Sequence, residues 1–233
     1  MRVRIGTAGW SIPRRVAEAF PAEGTGLERY AARFDAAEIN STFYRPHKPA
    51  TLERWAASTP EHFRFAVKLP KAITHERRLA DALAPTEEFL ESLAPLGARL
   101  GPVLVQLPPK LAFDPPVAEA FFRGFRALFD GALACEPRHG GWFGPEAAAL
   151  LAEHRVARVA ADPARVPEAA EPGGWPGLVY HRLHGSPRIY YSEYEPEFID
   201  TLAQVIAPSA VETWCVFDNT VSGAAAANAL ALQ

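Results

Sequence analysis

A rhythm constrains this chain more than any single motif. Short apolar runs rich in β-branched residues close on a polar residue, and a segment of helical periodicity follows. The runs are Val3 to Gly9, Ala36 to Asn40, Phe63 to Lys68, Val103 to Gln106, Ala132 to Glu136, Val156 to Asp162, Leu178 to His184 and Val211 to Asp218. Helical patterns lie near Leu27 to Phe34, Leu52 to Ala57, Thr86 to Leu96, Val117 to Phe129, Glu146 to His154, Glu197 to Ile206 and Ser222 to Leu232. Thr86, standing before Glu87 and Glu88, reads as a helix cap. Alternation of this kind builds a parallel sheet, and its repetition predicts an α/β fold, a TIM-like (β/α)8 barrel. A doubly wound open sheet is the alternative, and it would lack pairing between the first and last strands.

The chain has 233 residues, the lean end of the ~250 usual for such a barrel, and residues 1–233 read as a single domain. The stretch 163–177, PARVPEAAEPGGWPG, carries no helical pattern and predicts one irregular βα unit. Many of the 22 prolines cluster in loops after strand-like runs, which argues for stiff, shaped loops. No apolar run approaches the length of a membrane span. The first residues enter a strand pattern at once, leaving no room for a signal peptide, so a cytoplasmic protein is expected. A net charge of -3 argues against a general nucleic-acid surface. Cys135 and Cys215, the two cysteines, make no disulfide framework, and no CxxC or HExxH signature is present.

Side chains alternate along a strand, so a polar residue taken as facing the barrel interior fixes the faces of its neighbours. Lys68 inward brings Ala66 inward; Glu136 brings Ala134, Asp162 brings Ala160, and Glu38 with Asn40 brings Ala36. By the same count His184 brings Arg182 and Tyr180, Asp218 brings Val216 and Trp214, and Trp10 brings Ala8, Gly6 and Arg4. Small residues behind polar ones would leave space for a polar pocket at the rim. Cys135 and Cys215 fall on the helix-facing side of strands that are not neighbours, which predicts two separate buried thiols.

The candidate site is therefore the C-terminal rim. Glu136 and Asp162 are candidate acid and base, weighed against a charge-balancing role for Arg138 and Arg182. Lys68 is read as a Schiff-base nucleophile or as an anchor for phosphate or carboxylate, and Glu38 as its ion-pair partner. His184 is a candidate proton shuttle. Trp10, Asn40, Tyr44, His75, Gln106, His139, Asp218 and Asn219 complete the expected ligand-binding set with Glu38, Arg138 and Arg182. The aromatics Trp10, Phe43, Tyr44, Trp142, Tyr190, Tyr191 and Tyr194 could make a stacking wall, although Phe43 and Trp175 read better as buried loop anchors. Oxygen and imidazole groups at the rim suit a divalent metal, but Lys68 and the arginines oppose one, so no metal and no cofactor is expected.

With these residues in view, the chain resembles the YecE-like family, a family of unknown function. The resemblance rests on GTAGWS (6–11), AEINSTFY (37–44), RFAVKLPKAITHERRL (64–79), GPVLVQLPP (101–109), CEPRHGGWF (135–143), YHRLHG (180–185) and FDNTVSGAAAANAL (217–230). It implies a TIM-barrel-like fold with a rim pocket and supplies no activity. The family commonly reads FNNT where this chain has Phe217, Asp218, Asn219 and Thr220, adding a negative charge at Asp218.

Three functions remain open on the sequence. The first is a small-molecule enzyme, hydrolase-like or isomerase-like, acting on a sugar- or phosphate-bearing ligand. The second, less favoured, is a nucleic-acid-binding or repair-associated protein using the basic segment 68–78. The third is a non-catalytic ligand-binding protein on the same scaffold. No membrane partner is expected, and the oligomeric state stays open.

Overall fold

The computed structural model describes residues 2–233. Nine parallel segments and one short antiparallel piece form a single sheet that wraps into a barrel. The strands are β1 (Val3–Ala8), β2 (Ala36–Ile39), β3 (Arg64–Lys68), β4 (Leu100–Gln106) and β5 (Leu133–Glu136), followed by β6 (Val156–Arg158), β7 (Ala160–Asp162), β8 (Gly173–Gly174), β9 (Leu178–Leu183) and β10 (Glu212–Phe217). β1 pairs with β10 from Val3–Thr213 to Thr7–Phe217, the contact an open doubly wound sheet would lack. β6 and β7 are two halves of one barrel strand: β6 pairs with β5, β7 with β9, and Val159 joins them. The ring thus closes partly through the covalent chain.

The helices are α1 (Gly26–Ala31), α2 (Pro49–Ala57), α3 (Leu83–Ser92), α4 (Pro115–Leu128), α5 (Pro145–Glu153), α6 (Pro196–Ile206) and α7 (Ala224–Ala231). Four of them begin on proline, whose fixed φ suits the first helical turn and whose missing N–H is not needed there. In α4 the Asp114 carboxylate caps the Val117 amide at 3.3 Å. The same helix buries Ala118, Phe121, Phe122 and Phe125 along one face against the sheet, each phenylalanine stabilising the fold by roughly 2 kcal/mol. Thr86 is not a cap. It lies inside α3, where its hydroxyl donates to the Ala82 carbonyl at 2.6 Å.

The segment 163–177 contains a 3-10 turn at Pro167–Ala170 and then β8, laid antiparallel on β6. Gly174 permits this: its φ is +64°, and a Cβ there would press on the Val156 carbonyl at 2.5 Å. Here the irregular unit replaces a crossover helix with a strip of edge pairing.

Two cores result. The outer one lies between strands and helices and takes Phe65, Val67, Cys135 and Cys215, both thiols being free. The inner one fills the barrel with Ala36, Ala66, Leu104, Ala134, Ala157, Val159, Leu178, Tyr180, Trp214 and Val216. Small residues from β2, β3, β5 and β6 face large ones from β9 and β10, with Tyr180 stacked on Trp214 at 5.9 Å and 4°. The expected space beneath the rim is occupied by these rings. Among the described residues no helix is long and apolar enough to cross a membrane.

Candidate functional site

Arg182 organises the rim. Register places Arg182 beside Val216 on β10, and β9 carries its side chain into the barrel, where it is fully buried. Its guanidinium meets Glu38 at 2.6 and 3.0 Å, Glu136 at 2.7 Å and Asp218 at 3.0 Å. Three strands remote in sequence each supply one acidic partner to this one cation, which a buried guanidinium requires. Tyr180, one layer lower, donates its hydroxyl to Glu38 at 2.9 Å. Glu38 therefore pairs across the barrel with Arg182, and not with Lys68 on the neighbouring strand as the sequence suggested.

Glu136 is saturated. One oxygen accepts from Arg138 and His184, both at 3.1 Å, and the other from Arg182 at 2.7 Å and Gln106 at 2.9 Å. Burial pushes its carboxyl up, but Arg182, then His184 and Arg138, outweigh burial and hold it well below the usual range. Asp218 is lowered in the same way: burial opposes, and Arg182 and His184 prevail. His184 bridges the two carboxylates, Nε2 toward Glu136 and Nδ1 toward Asp218, both at 3.1 Å. Burial would lower it, yet these two carboxylates raise it, and an imidazolium donating from both nitrogens is the consistent state. Asn40 donates to Asp218 at 3.3 Å, and its buried amide oxygen has no partner among the described residues.

Lys68 stands apart from this network. It ends β3 and is 8% exposed, and its backbone carbonyl accepts from the Thr42 hydroxyl at 2.7 Å. Nζ lies 4.3 Å from the centre of the Phe43 ring. Among the described residues it has no hydrogen bond and no ion pair, because Arg182 has taken the nearby carboxylates. Burial lowers its pKa to about 8, and Arg182 adds to the shift against the pull of Glu38, Glu136 and Asp218. His75 packs on the same Phe43 ring at 4.9 Å, with Nδ1 hydrogen-bonded to the Thr74 hydroxyl at 2.8 Å. Burial, then Lys68 and Arg138, lower His75 from its ordinary value and favour its neutral form.

The structure thus brings Glu38, Asn40, Lys68, Gln106, Glu136, Arg138, Arg182, His184 and Asp218 together, with His75 beside them. Tyr44 projects at the mouth, 75% exposed, against Phe43. Four expected members lie elsewhere. Asp162 pairs in register with Leu183, so it faces outward, and its carboxylate accepts from the Tyr194 hydroxyl at 2.8 Å. Ala157 and Val159 face inward, so plain alternation puts Ala161 at the inner rim and turns Ala160 and Asp162 out. The acid–base pair of Glu136 and Asp162 is not assembled. Trp10, redirected by Gly9 at φ +73°, packs on Trp55 and Phe65 at 4.8 and 6.0 Å, in the outer core. His139 caps the turn after β5, accepting from the Gly141 amide. Asn219 is buried and donates to the Ser192 carbonyl and to Asn228.

Of the other expected aromatics, Trp142 is buried, its indole bonded to Leu111, and Tyr194 is buried as well. Phe43, read from the sequence as a loop anchor, is the ring on which Lys68 and His75 both rest. Its position three residues after the strand-ending Asn40 was the available signal. A cavity of about 650 Å3 lies outside the barrel, between Asp162, Phe198 and the loop from Ser186 to Glu195. Of the carboxylates that line it, Asp162 is bonded to Tyr194 and Glu193 to Arg15, and it contains none of the rim cations.

Three acidic groups and the donor set of His184 could in principle ligate a cation. Here a guanidinium holds that place, and among the described residues no cluster of histidine, cysteine or carboxylate side chains is arranged for a metal.

Fold and site together define a TIM-like α/β barrel with a cation-rich polar rim. The family model described as "Protein of unknown function DUF72" matches residues 4–233, and the chain belongs to that family. It is 37% identical to the UPF0759 protein YecE of Escherichia coli (strain K12) over 106 residues, which is 46% of this chain and 38% of that protein. The aligned region thus spans well under half of that relative's length. Among solved structures, a DUF72 family protein from Thermotoga maritima MSB8 superimposes with a TM-score of 0.81 at 27% identity, covering 100% of this chain and 98% of that one. A DUF72 family protein from Enterococcus faecalis V583 gives 0.82 at 24% identity, covering 100% and 94%.

Proposed function

We propose that this protein is a small-molecule enzyme whose rim takes a polar, anionic ligand, such as a sugar acid or a sugar phosphate. One observation carries the reading: the rim carboxylates are satisfied from within, while the Lys68 ammonium has no hydrogen-bond or ion-pair partner among the described residues. Glu38, Glu136 and Asp218 are set against Arg182, Arg138, a His184 imidazolium and Lys68, an excess of positive charge. Such a surplus, partly desolvated beside Phe43, favours a bound anion. Isomerase-like chemistry fits better than hydrolysis by two carboxylates, since Glu136 is saturated and Asp162 faces away. Lys68 and His75 are the groups free to exchange protons.

Calorimetric titration with glucose 6-phosphate and with glucose tests this. The phosphate ester should bind at least about tenfold more tightly, and both Arg138→Leu and Lys68→Met should reduce that preference. Equal binding of ester and sugar, or a preference unaffected by either substitution, would contradict it.

A second reading has its own support. The loops after β2, β3 and β4 expose Arg45, Lys48, Lys71, Arg77, Arg78 and Lys110 near exposed Tyr44. A nucleic-acid role predicts binding to single-stranded DNA that falls steeply with salt; salt-independent or absent binding sets it aside.

A further inference from the structure

We propose that Lys68 is a covalent nucleophile that forms an imine with a carbonyl carbon of the ligand, so that the substrate class is a hydroxy-aldehyde or hydroxy-ketone. The inference rests on the reading of the rim as a small-molecule site and names the chemistry within it. The chain has four lysines among its 24 cationic residues. Lys48, Lys71 and Lys110 are exposed, and Lys71 is paired with Glu76 at 3.1 Å. Lys68 alone of the four is buried, on the last residue of a barrel strand, with its nitrogen still at the rim.

Its surroundings ease the loss of a proton from the ammonium. A lysine kept as a structural cation would be expected to sit against a carboxylate. Here Glu38, Glu136 and Asp218 all act on it through their charge, yet none makes an ion pair with it, and Arg182 binds all three. Arg182 thereby withdraws the anions that would hold a proton on Lys68 and adds a positive charge of its own, the arrangement that activates nucleophilic lysines. The Phe43 ring covers one side of the amine and excludes water there. With a pKa of about 8, Lys68 is unprotonated roughly two-hundredfold more often at neutral pH than an ordinary lysine.

The step needs no reagent beyond water. The Lys68 lone pair attacks the carbonyl carbon, a C–N bond forms, and the C=O π pair moves to oxygen, which takes a proton from solvent water. The neutral His75 imidazole, resting on the same Phe43 ring, accepts the proton released from nitrogen. It returns that proton to the carbinolamine hydroxyl, the C–O bond breaks, and water leaves as the iminium forms. No electrons are gained or lost overall. The iminium acidifies the adjacent C–H, which is the chemistry an isomerase or epimerase needs, and addition of water releases the product.

Reductive trapping tests this. The full chain is incubated at pH 7 with glycolaldehyde and sodium cyanoborohydride, and modification of each lysine is followed by peptide mass spectrometry. Glycolaldehyde carries no charge, so trapping does not depend on the anion preference that the calorimetry measures. Lys68 should be alkylated at least about tenfold faster than Lys48, Lys71 or Lys110, reflecting its larger unprotonated fraction. His75→Gln should slow the reaction at Lys68 severalfold and leave the other three unchanged. Uniform labelling of the four lysines, or labelling that spares Lys68, would overturn the proposal even if phosphate esters bind. An unchanged Lys68 rate in His75→Gln would overturn the proton-carrying role of His75.

Discussion

Residue by residue, the rim separates into groups that are spoken for and groups that are not. Lys68 is the clearest case, because its burial costs stability. Its pKa falls from 10.5 to about 8, so below pH 8 the folded state bears the penalty of a desolvated ammonium, and that penalty fades as pH rises toward 10.5. Lys68→Met, close in shape, should therefore stabilise the protein at pH 7 by up to about 3 kcal/mol. The gain should shrink as pH approaches 10, which denaturant unfolding at the two pH values would show. A loss of stability at pH 7 would mean that the ammonium is held by partners. The sequence exposed the identity of this lysine and its place at a strand end. It did not expose its isolation, since that depends on Arg182, more than a hundred residues away in sequence, claiming Glu38. Asp162 and Phe43 failed in opposite ways. A strand-ending carboxylate reads as inward from the sequence, although Ala157 and Val159 set the alternation that turns it out. A loop aromatic reads as packing from the sequence, although its ring touches the two groups that can exchange protons.

Among the elements, strand parity was the most legible feature because alternation is a local property of the backbone. Ala36, Ala66, Ala134, Tyr180, Trp214 and Val216 all face the barrel interior as the polar strand ends imply. What alternation could not supply was volume. Tyr180 and Trp214 cross the barrel to fill the room that the alanines leave, so the lower layer is a packed core and the chemistry is confined to the upper one. The irregular unit was visible as missing helical periodicity, but its replacement was not, because β8 exists only through pairing with β6. Gly174 is its sensitive point. Gly174→Ala would place a side chain at positive φ and against the Val156 carbonyl, and should destabilise the fold by at least about 1–2 kcal/mol. Thermal unfolding would report it, whereas Gly144→Ala, where an added methyl would meet nothing within 4 Å, should have a much smaller effect.

At the scale of the whole molecule, Arg182 joins β9 to β2, β5 and β10, and so ties the barrel together across its axis. Arg182→Met leaves three carboxylates buried around an apolar side chain and should cost about 3–5 kcal/mol at pH 7. The pH dependence follows from the direction of each shift. Glu136 and Asp218 are lowered, so the stability they contribute is present above the usual carboxylate range and is lost as pH falls through their depressed pKa values. In Arg182→Met that acid limb should weaken, and the gap between variant and wild type should narrow below about pH 4. His184 has the opposite sign: its raised pKa contributes stability that is full below 6.5 and is lost as pH climbs through the raised value. A gap that stays constant from pH 7 to pH 3 would show that Arg182 acts by packing alone.

The central claim is that the barrel keeps one amine uncharged enough to react. With four lysines in the chain, it can be tested directly by carbon–nitrogen NMR of lysine labelled at Cε and Nζ, each signal assigned by a lysine-to-arginine variant. One resonance, lost in Lys68→Arg, should titrate near pH 8, while those of Lys48, Lys71 and Lys110 titrate near the usual value of about 10.4. Four lysines titrating together near the usual value would contradict the account.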